Sequence, residues 1–169
     1  TTRGEFVTLL VKGLNLPINA DENNTFTDIQ PGTSTSTWSY EYIETAARAG
    51  IVTGRTVGFF GSEIPISREE AAVMIARALE LKLAANDSKL LASLEKTFLD
   101  ATNIETYARP AVDAVYKAKI MTGSDVTIPG SNKPGLNFNP KSSLTRAEAG
   151  AIVVRMLQKS TAIFPKNLG

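Results

Sequence analysis

Three stretches of the chain carry the same hydrophobic pattern behind the same polar opening. Thr2-Arg3-Gly4-Glu5 is followed by Phe6, Leu9, Leu10, Gly13 and Leu14. Ser67-Arg68-Glu69-Glu70 is followed by Ala71, Met74, Ile75, Ala78 and Leu79, and Thr145-Arg146-Ala147-Glu148 by Ala149, Ile152, Val153, Met156 and Leu157. Spacing of i, i+3, i+4, i+7, i+8 lines one face of an α-helix. Three amphipathic helices are therefore expected, each opened by the motif [S/T]-R-x-E. A basic residue recurs within each, as Lys12, Arg77 and Arg155. It reads as a solvated flank whose aliphatic stem covers the edge of the core.

A second element occurs twice. Phe26-Thr27-Asp28 precedes Trp38, Ile43, Ala46, Ala47, Gly50, Ile51 and Gly54; Phe98-Leu99-Asp100 precedes Tyr107, Val112, Val115, Tyr116, Lys119, Ile120 and Gly123. The stretches Trp38 to Gly54 and Tyr107 to Gly123 align without a gap, carry helical periodicity and stop at a glycine, a helix-ending signal. Pro110 falls in the first turn, where a helix tolerates it. A Gly-rich loop follows each, short from Arg55 to Ile66 and longer from Ser124 to Leu144, with turn signals at Pro129-Gly130 and Pro134-Gly135. Asp87 or Ser88 is placed to cap a short extra helix through Leu90, Leu91 and Leu94, and Thr33 to Thr37 reads as a solvated loop. No run alternates cleanly enough to mark a strand.

The expected fold is all-α, built from tandem helix-loop-helix repeats. Residues 1–23 form the C-terminal half of a first repeat, 24–82 a second repeat, 83–96 a linker with a short helix, 97–158 a third repeat and 159–169 a tail. A lone helical hairpin buries little apolar surface, so the repeats should pack into one body.

Composition narrows the function. The 169 residues are 43% hydrophobic and 21% charged, ordinary for a globular protein. A net charge of +1 argues against a protein that wraps nucleic acid. No apolar run approaches the roughly 18–20 residues of a membrane helix, so no membrane insertion is expected. With neither cysteine nor histidine, thiolate and imidazole metal sites, disulfides and the common nucleophile–base pairs drop out. Everything distinctive is repeated, whereas a catalytic site is singular; Glu70 and Glu148 are taken by capping. The chain reads as non-enzymatic, with no catalytic residue, metal or cofactor. It opens in what reads as the first turn of a helix, as an excised segment would.

Ser or Thr at N-cap with Glu at N3 is a capping box, each side chain satisfying an orphan amide of the other. That leaves the arginine unexplained. At N1 its charge meets the positive end of the helix dipole, at a cost of about 0.3–1 kcal/mol. The misfit recurs at Arg3, Arg68 and Arg146. Free amides, dipole and guanidinium at one point favour an anion. Alternatively each arginine pairs with a carboxylate of the neighbouring repeat, such as Asp28 or Asp100. On the anion reading, truncating Arg3 or Arg68 should leave stability nearly unchanged. Trp38 and Tyr107 either stack on a ligand or anchor their helices. Gly54 and Gly123 end helices and permit close backbone approach; Asp28 and Asp100 brace turns or contact ligand.

These residues resemble the S-layer homology (SLH) family, whose pattern runs from F-x-D through an aromatic-led helix and G-[IV]-x-x-G to I-T-R-A-E. The matches are Phe26-Thr27-Asp28, Trp38, Gly50-Ile51-Val52-Thr53-Gly54 and Ile66-Ser67-Arg68-Glu69-Glu70, then Phe98-Leu99-Asp100, Tyr107, Ile120-Met121-Thr122-Gly123 and Leu144-Thr145-Arg146-Ala147-Glu148. The resemblance implies a pseudo-threefold helical bundle at the bacterial cell surface. It implies non-covalent binding of secondary cell-wall polysaccharide bearing pyruvylated N-acetylmannosamine, and self-association within a surface layer. The ligand would lie in grooves between repeats, with the motif arginine facing the pyruvyl carboxylate. One groove would join Arg3 to Asp28, Trp38, Gly54 and Arg55; another would join Arg68 to Asp100, Tyr107, Gly123 and Ser124. Arg146 would need the front half of the first repeat. Lys119 in place of Gly50, and Ser124 in place of Arg55, imply a weaker or differently selective second groove. A different reading is a helical interaction module that receives an acidic peptide or a partner subunit.

Overall fold

The computed structural model describes residues 1–21 and 24–163, with side chains through 160. Among the described residues six helices carry the fold: α1 (Arg3–Gly13), α2 (Tyr40–Arg48), α3 (Arg68–Ala78), α4 (Ser88–Thr97), α5 (Arg109–Lys117) and α6 (Arg146–Ile163). The protein is dominated by α-helix, as its periodicity predicts. The three motif helices α1, α3 and α6 start side by side. Their preceding residues close a ring of backbone hydrogen bonds: Ile66 N donates to Thr1 O (3.0 Å), Leu144 N to Ile66 O (2.9 Å) and the Thr1 amine to Leu144 O (2.9 Å). This ring is the pseudo-threefold axis. Thr2 and Ser67 close full capping boxes with Glu5 and Glu70, and Thr145 Oγ1 accepts from Glu148 N.

Helix α2 packs on α1, and α5 on α3. Most of the apolar positions named by the pattern meet in a single core that includes Phe6, Leu10, Ile75, Leu79, Ile152 and Met156, whereas Leu9 and Leu157 are exposed. The F-x-D phenylalanines anchor the loops: Phe26 lies 5.1 Å from Phe60, and Phe98 lies 5.4 Å from Phe138, between ring centroids.

Several elements depart from expectation. The helix expected from Trp38 to Gly54 runs only from Tyr40 to Arg48, and its counterpart splits into a 3₁₀ turn (Thr106–Ala108) followed by α5. Both helices stop early in a Schellman motif. Ile51 N donates to Ala46 O and Gly50 N to Ala47 O, and Ile120 N and Lys119 N repeat the pair on Val115 and Tyr116. The long loop contains an antiparallel pair, β1 (Ser124–Val126) and β2 (Gly135–Asn137), in register Ser124↔Asn137. Three residues per strand are too few for alternation to show in sequence. Asp87 is the cap of α4, accepting from Lys89 N and Leu90 N. Helix α6 continues to Ile163, through the start of the expected tail; residues 22, 23 and 164–169 lie outside the described ones.

The Schellman position takes φ of 75° at Gly50 but 59° at Lys119, where a side chain must adopt the left-handed region. Replacing Lys119 with Gly relieves that strain, offset by greater freedom of the unfolded chain, for a net gain of about 0.5–1 kcal/mol. Calorimetry should find the melting temperature raised by about 1–4 °C.

Candidate functional site

A cleft of about 640 Å³ runs along α3, with Val73, Met74 and Arg77 on its floor. Arg3 enters from the preceding motif helix, Gly54 and Arg55 from the loop after α2, and Tyr107 with Lys141 from the following repeat.

Arg3 is only 4% exposed. Its Nε donates to Phe60 O (2.9 Å), its Nη1 pairs with Glu70, and its guanidinium lies 4.9 Å from the Phe60 ring centre. Among the described residues Nη2 has no hydrogen-bond partner. Arg68 repeats the arrangement one repeat on, with Nε on Phe138 O (2.8 Å) and Nη1 on Glu148 (2.6 Å), but its Nη2 is also held by Thr122 O (2.7 Å). Arg146 completes the cycle loosely, 3.9 Å from Glu5 with its side chain 82% exposed. Each N1 arginine is thus answered by the capping glutamate of the next motif helix. The pairing carboxylates are Glu70, Glu148 and Glu5, not Asp28 or Asp100.

Those aspartates hold the loops behind the arginines. Asp28 accepts from Phe60 N and Gly61 N, both at 2.9 Å, and Asp100 from Phe138 N and Asn139 N, both at 2.8 Å. They fix the residue whose carbonyl receives the arginine Nε. Neither lines the α3 cleft.

The aromatics also regroup. Tyr107, expected beside Arg68, stands in the Arg3 cleft and is 59% exposed. Trp38, expected beside Arg3, is 7% exposed, donates Nε1–H to Glu63 Oε1 (2.7 Å) and covers Gly4, where a Cβ would lie 2.9 Å from its ring. Trp38 borders a separate cleft of about 370 Å³ beside α1, with Thr8 and Lys12. The motif alignment relates Thr8 and Lys12 to Val73 and Arg77, so Trp38 is to α1 what Tyr107 is to α3. The α3 cleft draws its arginine from one repeat, its glycine loop from the next and its aromatic from the one after. Nearest-neighbour reading of the sequence mispaired them for that reason.

Gly54 has φ of 87°, and a Cβ there would lie 2.8 Å from Phe59 O; at Gly123 it would lie 2.7 Å from Asn137 O. Both glycines let loop backbone pass. Arg55 is exposed in the cleft, its Nη1 4.0 Å from Glu70 Oε1. Ser124, its counterpart, opens β1 and accepts from Asn139 Nδ2 (3.4 Å).

One cluster escaped the sequence reading because it has no counterpart in the other repeats. Buried Glu69 accepts from Lys141 Nζ (2.5 Å) and from Glu105 N (2.9 Å), and Lys141 also reaches Glu105 Oε1 (2.7 Å). Burial works against the Lys141 charge, yet the hydrogen bonds to Glu105 and Glu69 hold its pKa above the ordinary lysine value. Burial raises the Tyr107 phenol, and the Glu69 and Glu70 carboxylates add to it, so Tyr107 stays a neutral donor. Burial lowers the Arg3 pKa while Glu70 opposes the shift; an arginine keeps its charge regardless. Arg3, Arg55, Arg77 and Lys141 face Glu69, Glu70 and Glu105 across the cleft, one positive charge in excess. No described helix is long and apolar enough to cross a membrane.

Residues 25–72 match the family model described as the S-layer homology domain. That match places an S-layer homology domain at residues 25–72. Domains of this family are usually cell-wall anchoring modules that bind cell-wall polysaccharides, which places the chain at the cell surface. Among its relatives, the chain is 30% identical over 94% of its length to an endoglucanase of Bacillus sp. (strain KSM-635) and 31% identical over 94% to the exoglucanase XynX of Acetivibrio thermocellus. It is 29% identical over 87% of its length to an amylopullulanase of Thermoanaerobacterium thermosulfurigenes. The chain spans 15%, 13% and 7% of those three relatives.

Proposed function

We propose that the chain anchors a larger surface protein, non-covalently, by holding an acidic secondary cell-wall polysaccharide in the α3 cleft. The carrying observation is the Arg3 guanidinium, whose Nη2 has no hydrogen-bond partner among the described residues, beside an exposed Arg55 that shares the same glutamate. Two cations share one carboxylate, so an acidic sugar substituent supplies the missing charge and accepts from the remaining donors. The pyruvyl group of N-acetylmannosamine fits that requirement, and the exposed Tyr107 ring offers a face to the sugar.

Residues 24–82 and 97–158 act as full repeats and 1–23 as the closing half of another. The second groove contributes less, because Thr122 O occupies the Arg68 Nη2 and Ser124 stands where Arg55 does. Glu69 and Glu70 are each held by a cation and by backbone or cap donors, which favours a binding role over an acid–base one for them.

Calorimetric titration of purified cell-wall polysaccharide, before and after removal of its pyruvyl groups, tests the reading. Affinity should fall at least about tenfold on removal, since a charge-assisted contact is worth about 1.5–3 kcal/mol. Equal binding of both preparations overturns it.

A further inference from the structure

Two aligned positions differ between the repeats where their aromatics are treated differently. The motif alignment relates Gly4 to Glu69, and the loop alignment that matches Ile66 with Leu144 relates Glu63 to Lys141. At α1, Gly4 leaves room for the Trp38 ring and the Glu63 carboxylate accepts its indole N–H, so the ring lies packed down. At α3 both supports are replaced. A Cβ at Gly4 would lie 2.9 Å from the Trp38 ring, so Glu69, which has one, excludes a ring seated in that way. The ammonium of Lys141 has no lone pair with which to accept a hydrogen bond. Tyr107 stands out into the cleft instead.

The same two side chains hold the turn that carries Tyr107. Glu69, buried on α3, accepts from Glu105 N through Oε2 (2.9 Å) and from Lys141 Nζ through Oε1 (2.5 Å). Lys141 also reaches Glu105 Oε1 (2.7 Å), so one ammonium joins two carboxylates. Glu105 is the residue before the 3₁₀ turn Thr106–Ala108, which closes with Ala108 N on Glu105 O (2.9 Å). Tyr107 thus sits two residues beyond a point fixed on the helix of the preceding repeat. A buried carboxylate is costly without a cation, so the grip of Glu69 on Glu105 N depends on Lys141.

We propose that Glu69 and Lys141 are positioning residues of the α3 cleft. By pinning Glu105 to α3 they keep the Tyr107 ring standing over the cleft, where it receives the C–H face of a sugar whose acidic substituent lies at Arg3 and Arg55. The ligand in this proposal rests on the polysaccharide reading above; the placement of Tyr107 does not. Lys141 is engaged by two carboxylates and acts through the tyrosine rather than on the acidic group of the glycan.

Lys141→Met, made in the whole chain, keeps the aliphatic stem and removes the ammonium. Hydrogen exchange of the Glu105 and Ala108 amides should quicken at least about tenfold, and Lys141→Arg should restore most of the protection. Affinity for purified cell-wall polysaccharide should fall about threefold to tenfold, the size of one aromatic contact, and about as much in Tyr107→Ala. Lys141→Met combined with Tyr107→Ala should bind no more weakly than Tyr107→Ala alone, because both changes remove one platform. Glu69→Gln with Lys141→Met keeps the net charge, needs no cation and retains an oxygen for Glu105 N, so it stays testable even where Lys141→Met alone unfolds. It should bind within about twofold of wild type. Affinity of that neutral pair as low as Tyr107→Ala would mean that Lys141 meets the ligand directly, and overturns the proposal. Additive losses in the combined variant, or unchanged exchange at Glu105 in Lys141→Met, overturn it too. A wild-type chain that binds no polysaccharide defeats the polysaccharide reading alone, and the two amides still decide the placement of Tyr107.

Discussion

Arg3→Ala should destabilise the protein by about 3–5 kcal/mol, the usual cost of removing one partner from a buried ion pair. The guanidinium is almost wholly buried, and its loss leaves Glu70 Oε2 and Phe60 O without their donors in the cleft wall. For a chain of this size about 2–4 °C accompanies each kcal/mol, so the melting temperature should fall by roughly 6–20 °C. Arg146→Ala, at the exposed and loosely paired position, should change it by no more than about 1 kcal/mol. Chemical denaturation of both variants measures the contrast. A loss at Arg3 no larger than at Arg146 would mean that Glu70 turns to solvent at no cost and that the cycle of pairs does not hold the repeats together. The prediction reverses the expectation from sequence that truncating an N1 cation is neutral or favourable. Dipole repulsion at N1 is real but small; pairing across the repeat interface outweighs it.

The fold was legible because it is written twice. Capping boxes at Thr2 and Ser67 and the periodic apolar positions of α1, α3 and α6 follow from local rules, and the structure places them there. Individual contacts across repeats were not legible. The motif glutamate has two tasks, capping its own helix and neutralising the previous arginine, and only the first leaves a local signature. Asp28 acts 32 residues downstream, on Phe60 N, so its spacing carried no recognisable motif. Tyr107 and Trp38 each belong to a cleft formed with a helix of the preceding repeat. The Glu69–Lys141–Glu105 cluster has no repeated counterpart, so self-comparison passed over it. What sequence reading recovered is what each segment does alone; what it missed is how segments meet.

Stability and binding should separate at Arg55. Its side chain is exposed, and its nearest carboxylate is 4.0 Å away, so Arg55→Ala should alter stability by no more than about 0.5 kcal/mol. Polysaccharide affinity should nevertheless fall about tenfold to a hundredfold, the value of one charge-assisted contact. Arg55→Lys should restore only part of it, because an ammonium lacks the planar fork that grips both carboxylate oxygens. The residual affinity of Arg55→Ala should also depend less steeply on salt, one cation having left an exposed cleft. Arg3→Ala cannot make this distinction, since it removes a wall of the cleft together with a donor. Titrating one polysaccharide preparation against wild type, Arg55→Ala and Arg55→Lys, with melting curves alongside, isolates recognition from folding. Unchanged affinity in Arg55→Ala would move the acidic group away from the α3 cleft, because Arg55 is the exposed cation that shares a carboxylate with Arg3 there.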